Sequence, residues 1–360
     1  MARQVTLKDV AEKAEVSYQT VSKVLNHMSN ASPETEKRIW AAAKELGYQT
    51  NHSARSLRLQ RSKTIGYSWE PSPQDESNPI LDEFLQSMFR TAESLGYYML
   101  CFPYHSDAER QINAYRSLID TGRVDGFVLS TVTYGDPCVD FLSKRKFPFY
   151  AFGRAVGDQN FPWLDVDGGA GISLAVEHLY ALGHRRIAAL AWPQISRVGN
   201  HRMEGYYASL TKLGLPLADN LIHRGAGTYQ VGQEGVAKLM ELPESERPTA
   251  IVCMNDLMAF GAMAGLAMRG LVPGKDVGLV GFDDTPTARL IVPGLTSLRQ
   301  PIYQIGTRLM ERLIANIETG KLLEPAHELF QPQLIVREST AHPGRASFVN
   351  SSKEGLFQGN

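Results

Sequence analysis

Only three cysteines occur in 360 residues, Cys101, Cys138 and Cys253, and no two of them form a C-x-x-C pair. Their number and spacing exclude a disulfide framework and a cysteine-built zinc site, and suit thiols kept reduced. Long apolar runs are missing too. Nothing approaches the roughly 18 apolar residues a membrane span requires, and Met1-Ala2-Arg3-Gln4-Val5 lacks the apolar stretch of an export signal. A cytoplasmic chain with no membrane partner is the expectation. Catalytic signatures are equally scarce. No serine sits in a G-x-S-x-G elbow, and His178 and His184 lack the i, i+4 spacing of a zinc helix. Asp283-Asp284 has no further carboxylate or His at metal-ligand spacing. Gly168-Gly169-Ala170-Gly171 falls short of the dinucleotide fingerprint and reads as a bend in the chain. No catalytic residue, metal site or cofactor is therefore expected, and the chain does not read as an enzyme.

An excess of one charge sign is the last absence: 37 Lys+Arg stand against 38 Asp+Glu, a formal charge of −1. That average conceals an asymmetry. Residues 1–63 hold eleven Lys/Arg and six acids, a net +5, which leaves −6 on the remaining 297 residues. Residues 51–63 carry Arg55, Arg58, Arg61 and Lys63 with no acid at all. A small basic module joined to a larger acidic one points to a polyanion at one end. The length suits two or three domains, each able to bury a core.

Three short helices fit into the basic module. Thr6 with Asp9 forms a Thr-x-x-Asp start for a helix to about Ala14, followed by a turn at Glu15-Val16. Ser17 caps a second helix, Tyr18 to Leu25, ending near Asn26. Ser32-Pro33-Glu34 opens a third, which stops at Gly47. Val10, Ala14, Val21, Leu25, Ile39 and Leu46 would fill a small core, leaving Tyr18, Gln19, Ser22 and Lys23 on the outer face. Two helices around a tight turn, the second presenting amide, hydroxyl and cationic groups, form a helix-turn-helix. Gln pairs with adenine, Lys donates to guanine, and Ser or Thr serves phosphate or base.

Val5–Ala14, Val16–Asn26, Glu45-Leu46-Gly47-Tyr48 and Asn51–Leu57 together resemble the start of the lac/gal repressor family of bacterial transcription regulators. Tyr18-Gln19 matches a base-reading pair of that family, in which many members have small residues there. The resemblance implies DNA contacts by Thr6, Ser17, Tyr18, Gln19, Thr20, Ser22, Lys23 and Asn26. It also implies a hinge that becomes helical when two copies pair in the minor groove, with contacts from Asn51, Ala54, Arg55 and Arg58. Leu57 would be the apolar wedge between base steps. Two positions depart from the pattern. Glu15 stands where the family often has Gly, in a turn that suits φ > 0, and Lys23 stands where Arg is common.

From Thr64 onward, short apolar strands alternate with amphipathic stretches. Strands are expected at 64–69, 98–102, 126–130, 149–152, 187–191, 250–254 and 277–282, with helices around 81–95, 107–121, 170–182, 202–213, 230–241 and 256–269. Such alternation indicates parallel sheets covered by helices. Two halves, divided near Asp165–Gly168 and rejoined after residue 290, would form a cleft. The family resemblance implies the same core, similar to periplasmic sugar-binding proteins, with Leu295–Pro301 as a return to the first lobe and Val336–Thr340 as the last strand.

Arg202 offers a fork to two hydroxyls, Asn255 a donor and an acceptor, and Asp283 an acceptor. All three are placed at a strand end or helix start, where α/β folds hold ligands, and the resemblance implies effector contacts there. Asp256 and Asp284 read equally as capping or interlobe groups. Arg154 is a further effector candidate or a surface cation, and Trp69, Trp192 and Tyr229 are ring-stacking candidates or core aromatics. Ser196 stands where purine-sensing members tend to carry a second Arg, which favours a mono- or disaccharide over a purine or nucleoside.

The expected architecture is an all-α helix-turn-helix DNA-binding domain over 1–49 and a hinge over 50–63. A two-lobed α/β effector-binding and dimerisation core with parallel sheets follows over 64–340, and a disordered tail over 341–360. The expected function is a repressor that binds a pseudo-palindromic double-stranded operator as a homodimer under control of a small molecule. A cytoplasmic sugar-binding protein without regulatory role is the alternative.

Overall fold

The computed structural model describes residues 5–25, 31–48, 61–70, 78–130, 132–154, 160–322 and 326–340. The expected DNA contacts at Asn26, Asn51, Ala54, Arg55, Leu57 and Arg58, and the expected disordered tail, lie outside the described residues.

Helices α1 (Leu7–Lys13), α2 (Tyr18–Leu25) and α3 (Pro33–Glu45) follow their capping signals. Thr6 and Asp9 form a reciprocal capping box on α1, and Ser32 accepts from Thr35 N ahead of Pro33. Val10, Val21 and Ile39 are fully buried among the three helices. Glu15 carries the turn between α1 and α2 at φ 52°. Its neighbour Val16 closes the turn by donating to Ala11 O at 3.1 Å.

The chain then alternates through β1 (Thr64–Trp69), α4 (Pro79–Ser94), β2 (Tyr98–Pro103), α5 (Ala108–Asp120), β3 (Gly126–Leu129), α6 (Pro137–Lys144), β4 (Phe149–Phe152) and β5 (Trp163–Val166). It crosses at Asp167 into a second lobe built from α7 (Gly168–Ala181), β6 (Ile187–Ala191), α8 (Arg197–Lys212), β7 (Ile222–Arg224), α9 (Tyr229–Glu241), β8 (Ala250–Cys253), α10 (Asp256–Ala267), β9 (Gly278–Asp283) and β10 (Thr296–Arg299). At Gln300-Pro301 it returns to the first lobe for α11 (Ile302–Thr319) and β11 (His327–Phe330), and a third crossing leads to β12 (Gln333–Ile335).

The first sheet has the order β11-β5-β4-β3-β1-β2 and is parallel throughout, with Ile65 opposite both Met99 and Gly126. The second runs β12-β10-β9-β8-β6-β7 and is parallel except for antiparallel β12. The central strands β3, β6 and β8 are buried at every residue, as helices on both faces demand of a parallel sheet. Ile302, Ile305, Leu309 and Leu313, spaced at three and four, seat α11 in the first lobe's core beside Phe84 and Met88.

Three expectations need correction. Residues 336–340 are not the last strand. That strand is β12, and Glu338–Thr340 form one 3-10 turn whose Ser339 hydroxyl accepts from Thr296 N at 2.8 Å. Gly168–Gly171 are not a bend but the first turn of α7, where the missing side chains let α8 come close. Arg202 does not sit at a helix start, because α8 begins at Arg197, five residues earlier. Among the described residues, no helix is long and apolar enough to cross a membrane.

Candidate functional site

Two sites emerge, one on the three-helix module and one between the lobes. On the module, Val21, Val24 and Leu25 turn one face of α2 inward. The opposite face then presents Tyr18, Gln19 and Lys23, with Tyr18 50% exposed and Ser22 half-buried. Gln19 and Lys23 stand one turn apart and therefore project together. Ser17 and Thr20 share a hydrogen bond of 2.8 Å while Ser17 accepts from Thr20 N at 3.1 Å, so these hydroxyls hold the helix start. Thr6 likewise donates its hydroxyl to Asp9 at 2.7 Å. Of the described DNA-contact candidates, Tyr18, Gln19 and Lys23 present the exposed donors and acceptors.

The module's exit is tied to the first lobe. Ser62 N and Lys63 N donate to the two oxygens of Asp125 at 2.7 and 2.8 Å. Lys63 pairs with Glu318 at 2.7 Å, and Arg61 donates to Ile317 O at 3.1 Å. Any motion of β3 or α11 is thereby passed to the chain just before β1. The sequence reading did not assign Asp125 a role. An acid preceding a strand gives no sign of the backbone it will meet.

Between the lobes, Arg202 is 4% exposed. Its guanidinium lies 3.6 Å from the Phe282 ring and 5.0 Å from that of Trp192, and it donates to Met254 O. Nε remains unpartnered, as does the buried Trp192 Nε1. Asp283 follows at the end of β9, where Gln300 Nε2 from the crossing segment donates to it at 2.7 Å. Burial drives the Asp283 carboxyl up to about 7 against the pull of Arg202, with Asp256 adding to the rise. Burial also lowers Arg202 to about 10, with Asp283 opposing. Asn255 is the N-cap of α10: Oδ1 accepts from Met258 N at 2.9 Å and Nδ2 donates to Gly227 O at 2.8 Å. One amide hydrogen and part of one oxygen are left for a ligand.

Arg154, at the end of β4, donates through Nε to Asp165 at 2.9 Å, and Arg197 of α8 reaches the same oxygen at 3.3 Å. Asp165 thus joins an arginine from each lobe. Asn200, one turn further along α8, donates to the Tyr134 hydroxyl of the first lobe at 3.2 Å. The structure brings Arg202, Asp283, Phe282 and Trp192 together, with Asn255 fixed beside them through Gly227. Trp69 instead stands half-exposed at the end of β1, and Tyr229 opens α9 with its ring exposed. Asp256 and Asp284 serve their own lobe. Asp256 accepts from Thr285 and Ser297, while Asp284 pairs with Arg299 and Arg337. Arg197, Asp165, Gln300 and Phe282 went unassigned in the sequence reading. Two carboxylates flanking Val166 just before a lobe crossing were the available signal.

Comparison with known proteins places these sites in a familiar frame. Residues 6–51 match the family described as bacterial regulatory proteins, lacI family, and residues 176–340 match a periplasmic binding protein-like domain. The transcriptional regulator AglR of Rhizobium meliloti is 30% identical over 97% of this chain and 98% of its own length. A LacI-family regulatory protein from Chloroflexus aggregans is 48% identical, with a TM-score of 0.74 over 78% of this chain and 99% of that one. The lac repressor dimer, solved bound to operator and the anti-inducer ONPF, superposes with a TM-score of 0.82 at 29% identity over 94% of this chain and all of that one.

Proposed function

This chain belongs to the lacI family of bacterial regulatory proteins, and from that premise we propose a repressor whose operator binding is set by a small neutral carbohydrate held between the lobes. It is a DNA-binding transcriptional regulator with an effector domain. The carrying observation is the outer face of α2, where Tyr18, Gln19 and Lys23 stand free over a closed apolar core. In the major groove, Gln19 would pair with adenine and Lys23 would donate to guanine. Two copies would read half-sites related by two-fold symmetry, as a dimer does on a pseudo-palindrome. Such a reader works in the cytoplasm on chromosomal DNA and needs no catalytic group.

The carbohydrate reading rests on Arg202 and Asp283. A guanidinium with an unpaired Nε beside a carboxylate supplies a donor and an acceptor for neighbouring hydroxyls. The Trp192 and Phe282 rings offer apolar faces for ring carbons. Arg197 is committed to Asp165, which weakens the case for it as a reader of a purine carbonyl. Effector binding would rotate the lobes about their three crossings and move β3 and α11, and with them the Ser62–Asp125 and Lys63–Glu318 anchors. A coupling of about 1–3 kcal/mol suffices to change operator occupancy. Selection of bound duplexes from random DNA, then titration of the selected operator against a sugar panel, tests the reading. Random sequence in the selected pool would overturn it.

A further inference from the structure

Strand order in the first lobe's sheet reverses between β1 and β3, and open α/β sheets hold ligands in the crevice at such a switch point. A cavity of about 210 Å³ lies at that place, between the ends of β1 and β3 and the starts of α5 and α6. Arg154, Arg197, Arg202, Asn255 and Asp283 line none of it, so it is separate from the interlobe site. A cavity of about 150 Å³ takes a benzene ring. This one has room for a six-membered ring with its substituents.

The lining is polar and directional. Ser68 shares a hydrogen bond of 3.1 Å with the Tyr115 hydroxyl, and Ser130 shares one of 2.9 Å with Tyr67. Gln111 is 2% exposed, and its Oε1 accepts from His105 N at 2.8 Å. That bond fixes which end of the amide faces the Tyr115 hydroxyl. Nε2 there has no partner with hydrogen-bonding geometry. A buried donor in this state calls for an acceptor from a ligand. Asp136 already accepts from Thr133 N, Thr133 Oγ1, Cys138 N and Val139 N. Its carboxylate spends its lone pairs on the walls while its charge disfavours a phosphate or a second carboxylate. Burial holds the Cys138 thiol up to about 12, so the pocket offers no nucleophile at neutral pH. The loop that carries Thr133 and Asp136 also carries Tyr134, which accepts from Asn200 of the second lobe.

We propose that this pocket is a carbohydrate-binding site for one neutral, hydroxyl-bearing six-membered ring, with its occupancy linked to lobe closure through Tyr134 and Asn200. The link to closure rests on the regulatory reading above; the site itself does not. The ring comes either from a separate monosaccharide or from the second unit of a disaccharide that also occupies the interlobe site.

Calorimetric titration of the full chain with glucose, galactose, maltose, cellobiose, trehalose and sucrose tests this. Gln111→Met removes the unpaired donor, and Ser106→Trp plugs the mouth from an exposed rim position that leaves the core untouched. Gln111→Met is expected to weaken binding about three- to tenfold, the worth of one hydrogen bond. A separate monosaccharide gives two sites on the parent chain and one on Ser106→Trp. A bridging disaccharide gives one site whose affinity Ser106→Trp lowers while leaving monosaccharide affinity in place. Unchanged affinities and stoichiometries in both variants overturn the proposal, and so does a parent chain that binds no sugar of the panel. Operator binding by the same samples reports on the regulatory reading by itself.

Discussion

Arg197 of the second lobe lies 3.3 Å from the Asp165 carboxylate oxygen that Arg154 of the first lobe already holds at 2.9 Å. One acid thus compensates two cations across the crossing, and Arg197 is 6% exposed. Asp165→Asn removes the compensation and keeps the shape. Breaking a buried pair from one side costs about 3–5 kcal/mol, and partial exposure of Arg154 puts the expectation near the lower end. Urea unfolding of the core should show the loss, and adding Arg197→Met should recover much of it. A midpoint unmoved by Asp165→Asn would show that solvent, not this acid, carries the two charges.

Asp283 gives a pH dependence whose sign follows from its environment. Its carboxyl, ordinarily near 3.8, is held up to about 7 by burial. A group raised in the folded state contributes stability that is complete below its ordinary value and is lost as pH climbs through 7. Core stability should therefore decline across that interval, and Asp283→Asn should flatten the decline. Effector affinity should move the opposite way, because only the ionised carboxylate accepts from two hydroxyls. Asp283→Ala should abolish the effector response in an operator titration while operator binding itself persists. A retained response would remove Asp283 from the site.

Gln19→Ala and Lys44→Ala separate base reading from backbone attraction. Gln19 projects from the exposed face of α2, whereas Lys44 is an exposed cation in the last turn of α3. Losing a bidentate base contact costs about 1–3 kcal/mol of discrimination. Gln19→Ala should therefore lower affinity for the selected operator and spare binding to shuffled DNA, while Lys44→Ala lowers both alike. Anisotropy titrations at one salt concentration compare them, and equal losses for Gln19→Ala on both duplexes would contradict base reading.

Glu15 holds φ 52° in the turn before α2, a conformation that costs an L-residue about 1–2 kcal/mol. Glu15→Gly relieves it and gives back part of the gain as unfolded-chain entropy. The module should melt higher by the equivalent of up to about 1 kcal/mol, with operator preference unchanged. A lower melting temperature would mean that the Glu15 side chain, not the backbone, governs the turn.

Much of this was legible in the sequence because the signals were local. Thr6, Ser17, Ser32 and Pro33 announce their helices by chemistry within one turn, and the buried strands 64–69, 149–152 and 187–191 appear at their observed bounds. The elements that escaped are short or sit at sheet edges, such as β7 and β12 with three residues each, where too few apolar positions exist to show a period. Helix α11 is different: Ile302, Ile305, Leu309 and Leu313 carry a clear helical spacing, and Gly320 at φ 67° ends it. The expectation of a simple return between lobes left no place for it. At the site, Arg202, Asn255 and Asp283 were readable as chemistry, but the Asp165–Arg197 link joins residues 32 apart from two lobes. Charge pairs of that kind have no local pattern.

Two glycines on or just beyond α8 make opposite predictions about the effector site. A side chain on Gly205 would place its Cβ 2.0 Å from Gly169 O, a backbone atom that cannot yield without moving α7. Gly214 has φ 64° and nothing within 4 Å of the same added atom. Gly205→Ala must therefore spread the two helices, an overpacking cost of about 1–3 kcal/mol. It also displaces Arg202, three residues earlier on the same helix, from between Phe282 and Trp192. Gly214→Ala should cost about 1 kcal/mol through its backbone conformation alone. Both variants should melt lower than the parent, but only Gly205→Ala should also lose effector affinity. Equal effector affinity in the two, at matched fractions folded, would mean that the crossing of α7 and α8 does not position Arg202.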